Sequence, residues 1–424
     1  MGSAKFMPNV ADPTVPKIVV FTARLIVAGR DEGVMLFLTR LRTLEGFADG
    51  IEVGELPGKL GAAMDHGWIL GRDAFLPRDA LLAGDWATIT NDGEFVCEIP
   101  VRQRFHHAIT PLVAGRLDLA TGTIATARAA VAGLVNYAAQ RPHGDSDALQ
   151  RDLITAAAHT YVGSVLGRMV RDMSTDLDRQ QRLPLWLTVV KPLITTIAQD
   201  TLRTCRDRAG AQGHLRCNYL PDWNANIAGA KTAEGETQVL EKTAGRTHHA
   251  LGALILPGTS DTSPWWLDMI IAREDILADD LYTVTGIDEY EPEGTALGID
   301  STRVDLARTA GIRLAVTAAL ITAAATADPK AATVATVAAA VVALTYLDRH
   351  GTWYTAHGLQ SPEQARTVHT ELRRHRLVLA ENLPTLAAAF DIPELPGAPI
   401  FAPDHLKAWS HRAGWNANNS FPQR

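Results

Sequence analysis

The chain has little cysteine and no excess of positive charge, and each shortage excludes a class of function. Only three cysteines occur among 424 residues. They form no CxxC pair, which excludes a disulfide framework and argues against a zinc site. The formal net charge is −7, so little counterion release is available to drive binding to nucleic acid. We therefore expect no metal, no nucleic-acid partner and a reducing cytoplasmic location.

Signals for export and for membrane insertion are also missing or weak. The N-terminus, MGSAKFMPNVADP, lacks the basic start and apolar core of a signal peptide. One uncharged run, AATVATVAAAVVALTYL from Ala331, approaches the shortest length that spans a membrane. It consists mainly of Ala, Thr and Val between charged flanks, so we interpret it as a buried helix and expect no membrane partner.

What is present predicts an α+β fold that is mainly α. Short β-branched and aromatic runs fill the first part of the chain, and two of them flank the turn-like AGRDEG from Ala28. Links this short favour antiparallel strands. Ala- and Leu-rich stretches of helical period then predict helices from Leu117, over 146–178, 185–208, 264–280, 304–327, 331–350 and 361–390, and near Glu236.

The same patterning predicts three domains. We expect a partial β-domain over residues 1–105 and a first helical-bundle domain over 106–258. A second helical-bundle domain should cover 259–424. Within this plan, Gly210 to Asn226 is predicted as a loop and the stretch from Leu256 as a linker, because both concentrate turn residues.

Four segments, in order along the chain, resemble the acyl-CoA oxidase family of the acyl-CoA dehydrogenase superfamily. FTARLIVAGRDEGVMLFLTRLR from Phe21 and VGELPGKLGAAMDHGWILGRDAFLPRDALL from Val53 are similar to the family's β-domain. CRDRAGAQGHLRCNYLPDWNANIAGAKTAEGETQVL from Cys205 resembles the family's CRxxCGGHGYL and TYEGDNTVL motifs. LDRHGTWYTAHGLQSPEQARTVH from Leu347 resembles the C-terminal domain that distinguishes oxidases from dehydrogenases.

The resemblance implies a flavoprotein that introduces an α,β double bond into an acyl thioester on CoA or a carrier protein. In the family, a carboxylate takes the α-proton, the β-hydride passes to FAD, and oxygen reoxidises the flavin. Glu234 in TAEGET matches the catalytic glutamate of TYEGDN. The alternative is that Glu234 or Glu236 only stabilises a helix N-terminus. The second carboxylate, Glu236, is also expected to raise the pKa of Glu234.

The resemblance also implies which residues hold FAD. Arg141 matches the first arginine of the family's YxxxRRQFG, although Pro142, His143 and Gly144 replace the rest of the motif. A guanidinium in this place would pair with a phosphate of FAD. The alternative is that Arg141 is only an arginine at the end of a helix. The set is completed by residues that match the family's GGHG loop and by the threonine two places before the base. They are Gly210, Gln212, Gly213 and Thr232. The alternative for the loop is a plain turn, which would use the same residue types.

Family members begin with a helical domain and the first half of the β-domain, and this chain opens near AKFMPN, which resembles the later TKWWPGG. We therefore expect a homodimer or a hetero-oligomer with a subunit that supplies the missing part, in fatty acid metabolism or a specialised natural-product pathway. Two alternatives stay open. One is a repurposed relative without redox activity, either a cofactor-free enzyme or a scaffold for an active paralogue; the other is a fragment. The histidine pairs beginning at His106 and His248 are expected to be structural.

Overall fold

The computed structural model of the chain describes residues 7–8, 14–61, 66–176, 182–248, 256, 263–282 and 296–414. The chain divides into two units, Met1–Val113 and Ala114–Arg424. The first carries the strands and the second carries most of the helices.

The described residues of the first unit form seven strands in three antiparallel sheets. β2 (Lys17–Val27) pairs with β3 (Arg30–Arg42) as a hairpin. Ala28 and Gly29 connect them with φ values of 49° and 78°, and two positive φ values are what a tight two-residue hairpin turn requires. The remaining strands are β1 (Met7–Pro8), β4 (Ile51–Glu55) and β5 (His66–Gly71), in the order β1-β5-β4, and β6 (Ala87–Ile89) with β7 (Phe95–Cys97).

The two faces of the β2–β3 hairpin differ. On one face Val19 and Leu41 are buried in an apolar cluster. On the other face Ile18, Val20 and Leu38 are 71%, 42% and 39% exposed, and Val20 lies opposite Leu38 in the register. Three large apolar side chains are therefore partly or largely exposed on the outer face of the hairpin.

The described part of the chain contains α1 (Val101–Ala108) in the first unit and α2 (Leu112–Ala139), whose first two residues still belong to that unit. It contains ten more helices in the second unit. These ten are α3 (Asp147–Ser174), α4 (Leu183–Arg208), α5 (Leu220–Thr232), α6 (Thr237–Arg246), α7 (Trp265–Tyr282), α8 (Ile299–Ala325), α9 (Pro329–Arg349), α10 (Gly351–Ala356), α11 (Pro362–Ala388) and α12 (His405–Arg412).

Two long helices organise the second unit. α3 packs on α4, α8, α9 and α11, and α8 packs in addition on α4, α6, α7 and α9. Small residues permit this close packing, since a Cβ added at Gly311 of α8 would lie 3.3 Å from the side chain of Val189 in α4. α8 and α9 are long and apolar enough to cross a membrane by length and composition alone, but 61% and 72% of their apolar windows are buried inside the protein.

Most of the predicted architecture is confirmed. The sheets are antiparallel, and the helix predicted over 331–350 is observed as the buried helix α9 (Pro329–Arg349). The predicted loop from Gly210 to Asn226 is wrong in its second half, because α5 begins at Leu220. Pro221 lies in the first turn of this helix, where its fixed φ suits a helix start and its missing N–H has no cost. The domain division at 258/259 stays a prediction, and most of the linker predicted from Leu256 lies outside the described residues.

Candidate functional site

Glu234 occupies the sharp turn between α5 and α6. Ala233 is extended, Glu234 has a left-handed backbone with φ 59°, and Gly235 follows with φ 111°. A left-handed conformation costs a residue with a Cβ about 1–2 kcal/mol. Such strain persists only where the surroundings enforce it, and it is concentrated at functional sites.

The carboxylate of Glu234 lies against the start of α2 and is poorly hydrated. A Cβ added at Gly115 would lie 2.8 Å from Oε1 and 3.1 Å from Oε2 of Glu234. Oε2 is buried, and no described residue donates a hydrogen bond to it. Burial raises the pKa of this carboxyl, while the positive charges of Arg116 and Lys191 oppose the rise. A carboxylate with an unpaired, desolvated oxygen is suited to accept a proton.

Glu236, the second acid of the motif, has a different task. It is the residue that caps α6, and its carboxylate accepts a hydrogen bond of 3.1 Å from the backbone N–H of Val239. The helix-stabilising role therefore falls on Glu236, and the carboxylate of Glu234 is left free of it. Burial of Glu234, and not the charge of Glu236, raises the pKa of Glu234.

Two cations bind the backbone of this turn. Lys191 of α4 is fully buried, and its Nζ donates to the carbonyl oxygens of Lys231 (2.9 Å) and Gly235 (2.7 Å). The Nε of Arg116 in α2 donates to the carbonyl oxygen of Glu234 at 2.7 Å. Three carbonyls of one five-residue segment are thus held from two other helices.

Sequence reasoning missed Gly115, Arg116 and Lys191. Arg116 and Glu234 are 118 residues apart, and Lys191 is 44 residues from Gly235, so no local pattern joins them. One signal was available. Lys191 stands alone among the apolar residues of VVKPLI, where a lysine needs a buried partner.

Two of the five residues predicted to hold FAD have free binding capacity. Arg141 follows the C-terminus of α2, stacks on the ring of Tyr137 at 5.1 Å, and has a buried Nε for which no described residue is an acceptor. That unpaired donor suits a phosphate oxygen. Gly210 has φ 58° and no atom within 4 Å of an added Cβ, which leaves its backbone open to close approach.

The other three predicted residues are engaged within the fold. The side-chain oxygen of Gln212 accepts a 2.8 Å hydrogen bond from Asn218, and a Cβ on Gly213 would lie 1.9 Å from the carbonyl oxygen of Arg206. The hydroxyl of Thr232 donates to the carbonyl of Ala228 at 2.8 Å. Arg141 and Gly210 therefore fit FAD, whereas the contacts of Gln212, Gly213 and Thr232 already have a structural explanation.

Two of the histidines singled out in the sequence have contacts that explain them structurally. The ring of His107 meets Trp86 edge-on at 4.8 Å, and Nε2 of His248 lies 2.9 Å from Oε1 of Glu274. His249 lies outside the described residues. Across the described ranges, no group of three or more His, Cys, Asp or Glu could hold a metal ion.

Residues 111–248, which carry the turn and its two cations, match the family model for the acyl-CoA oxidase C-alpha1 domain. The fold is that of the acyl-CoA oxidases. The chain superimposes on the tomato (Lycopersicon esculentum) acyl-CoA oxidase with a TM-score of 0.79 at 22% identity, covering 99% of this chain and 72% of that one. It superimposes on acyl-CoA oxidase-2 of Caenorhabditis elegans, solved with FAD, ascaroside-CoA and ATP, with a TM-score of 0.75 at 18% identity, covering 96% and 68%.

Curated relatives agree with the family model. The chain is 26% identical over 265 residues to the putative peroxisomal acyl-coenzyme A oxidase 1.2 of Arabidopsis thaliana, covering 56% of this chain and 39% of the relative. It is 24% identical over 269 residues to the human peroxisomal acyl-coenzyme A oxidase 3, covering 56% and 38%. The chain is thus similar to acyl-CoA oxidases, and its alignments span about two fifths of the length of these relatives.

The cytoplasmic location expected from the sequence is contradicted by these relatives. Those from Arabidopsis and human are named as peroxisomal proteins. The expectation rested on the low cysteine content. Few cysteines argue against an oxidising compartment, but they carry no information about which reducing compartment holds the protein.

Proposed function

We propose that the chain is a subunit of an acyl-CoA oxidase-type enzyme in which Glu234 removes the α-proton of an acyl thioester carried on CoA or on a carrier protein. The observation that carries this proposal is the free, desolvated Oε2 of Glu234 on a strained turn. Of the two acids in the motif, Glu236 caps a helix and Glu234 does not. Its carboxylate is therefore available for proton transfer.

In this reaction the α C–H bond breaks, the proton passes to Glu234, and its electron pair forms the α,β double bond as a hydride leaves the β-carbon. Bound FAD would supply the acceptor for that hydride. Arg141 would pair with a phosphate of the cofactor, and the open backbone at Gly210 would permit its close approach. Gly115 leaves the space in which the carboxylate of Glu234 sits.

Exchange of the substrate α-protons with solvent tests the proton transfer alone. Octanoyl-CoA incubated with the protein in D2O should lose its α-proton NMR signal, because a base that removes the α-proton returns a deuteron. This readout does not need an oxidised flavin. Absence of enzyme-dependent exchange, with and without added FAD, would remove the proposal.

We further propose that a partner chain completes the β-domain. The exposed apolar side chains of Ile18, Val20 and Leu38 support it, because exposed apolar patches mark interaction surfaces. FAD retention on gel filtration, measured for the chain alone and after mixing with the front domain of a relative, is the test. Stoichiometric FAD on the chain alone would contradict the need for a partner.

A second candidate function is a cofactor-free reaction that uses the same base. Its supporting observation is that Gln212, Gly213 and Thr232 are engaged within the fold, whereas Glu234 is free. The two candidates separate in one absorbance spectrum. A protein that catalyses α-proton exchange but binds no FAD, with or without a partner, favours the second.

Gly115→Ala should make the protein more stable and less active. Alanine in place of a helix glycine stabilises by about 0.5–1 kcal/mol, but its Cβ would displace the Glu234 carboxylate, a flexible group that moves at low cost. We expect a raised unfolding midpoint and α-proton exchange slowed about 100-fold, as for a base misplaced by an ångström. Gly122→Ala in the same helix meets no atom within 4 Å and should stabilise without slowing exchange; equal exchange in both variants would contradict the placement.

The exchange rate should rise with pH through a midpoint above the ordinary range of a glutamate. Burial raises the pKa of Glu234, and only its deprotonated form removes a proton, so activity is lost as the pH falls through the raised pKa. The measurement is the rate of α-proton exchange across the acidic range. A midpoint in the range of an exposed glutamate would show that the carboxylate is hydrated in solution.

A further inference from the structure

We propose that Lys191 and Arg116 are positioning residues for Glu234: two cations from separate helices fix the backbone of residues 231–235 and thereby set the place of the base. The inference rests on the proposed function, because it assigns how that base is held. Lys191 and Arg116 touch the turn through its carbonyl oxygens, with no direct hydrogen bond to the Glu234 carboxylate.

Burial of the Lys191 ammonium is costly unless hydrogen bonds within the protein compensate for it. A buried ammonium requires compensation for its lost hydration. At 0% exposure, the described partners of its Nζ are the carbonyl oxygens of Lys231 and Gly235, which stand on either side of Glu234. The carbonyl of Lys231 also accepts a hydrogen bond of 3.2 Å from the Thr237 hydroxyl. The ammonium therefore joins the end of α5 to the start of α6.

Arg116 provides the third hydrogen bond to the backbone of the turn. Its Nε donates to the carbonyl of Glu234 itself, the residue whose φ is left-handed. Gly115 precedes Arg116 on α2 and lies under the carboxylate. One turn of α2 thus supplies both the space for the Glu234 side chain and the donor that holds its backbone.

The charges explain why two cations are suited to this place. The groups that act on Lys191 are Arg116 of α2, Lys231 of α5, and Glu234 and Glu236 of the turn. Burial is the main cause that lowers the pKa of Lys191, to about 8. Burial raises the pKa of Glu234, whereas the positive charges of Arg116 and Lys191 lower it, because they favour the ionised carboxylate. The two cations therefore limit the rise in the pKa of Glu234 that burial causes.

The test compares Lys191→Met and Arg116→Met with their charge-retaining partners, Lys191→Arg and Arg116→Lys. Each Met variant should lower kcat for α-proton exchange about 100-fold with little change in KM, because the base is misplaced while the substrate contacts remain. The acidic limb of the pH profile should move to higher pH, because a cation that favoured the carboxylate is gone. Arg116→Lys, which keeps the charge, should return the limb toward its original midpoint.

A merely structural role would lower the amount of folded protein without moving that limb, so circular dichroism and the pH profile are recorded on the same samples. Arg116 is half-buried and provides the decisive variant if Lys191→Met does not fold. Lys242→Met serves as the control, because its ammonium lies 3.4 Å from the carboxylate of Asp300. If the wild type exchanges α-protons and Glu234→Gln does not, yet both Met variants keep the wild-type kcat and limb, this proposal is wrong while the proposed function stands.

Discussion

Glu234→Gln should reduce α-proton exchange by about 100- to 10,000-fold, the contribution typical of general base catalysis. Glutamine has nearly the shape of glutamate and accommodates the same turn, but its amide cannot take a proton from carbon at neutral pH. The side chain should keep its packing on Gly115, and the backbone of residue 234 should keep its hydrogen bond from Arg116. The loss should therefore appear in kcat, with the unfolding midpoint close to that of the wild type.

Glu236→Gln is the matched control for this substitution. It changes the neighbouring acid of the same motif in the same way, and that acid caps α6 through the N–H of Val239. Glutamine is a poorer cap than a carboxylate at a helix N-terminus, so we expect a cost of about 0.5–1 kcal/mol in stability. Exchange should remain near the wild-type rate. Comparable losses of exchange in both variants would refute the assignment of the base to Glu234.

Gly213→Ala should be the most destabilising single-methyl substitution in the loop that resembles the family's flavin loop. The added Cβ would lie 1.9 Å from the carbonyl oxygen of Arg206 and 2.8 Å from its carbonyl carbon, and both belong to the backbone of α4. Backbone atoms cannot rotate away as a side chain can, so the last turn of α4 or the loop must shift. We expect a loss of about 3 kcal/mol or more in the free energy of unfolding, measured by urea titration.

Gly210→Ala separates packing from conformation in the same loop. Gly210 has φ 58° and open space around it, so alanine there suffers only the left-handed penalty of about 1–2 kcal/mol. If FAD approaches this backbone, Gly210→Ala should also weaken FAD binding, while protein that survives Gly213→Ala should bind FAD in proportion to its folded fraction. Equal destabilisation by the two substitutions would contradict the close packing of Gly213 on α4.

The sequence predicts the helices well because their signal is local. The helix predicted over 146–178 is observed as Asp147–Ser174, and the one predicted over 185–208 as Leu183–Arg208. α5 was missed because Asn, Pro and Asp at its start are typical both of loops and of first helical turns. Apolar periodicity does not distinguish the two where a helix is short and half-exposed.

The site could be predicted only in part. The motif identifies two acids two residues apart, but the left-handed backbone at Glu234 decides which one caps the helix and which one stays free. That backbone is enforced by Lys191 and Arg116, which lie far away in the sequence. Hydrogen bonds to backbone carbonyl oxygens cannot be predicted from a sequence pattern, because every residue type has such an oxygen.

The left-handed backbone of Glu234 also affects how the protein would respond to directed evolution. Glycine at this position would relieve about 1–2 kcal/mol of strain and would be enriched in any library selected for heat resistance alone. The same substitution would delete the base. A selection for thermostability would therefore erode catalysis first at residue 234, unless each round is also screened for turnover.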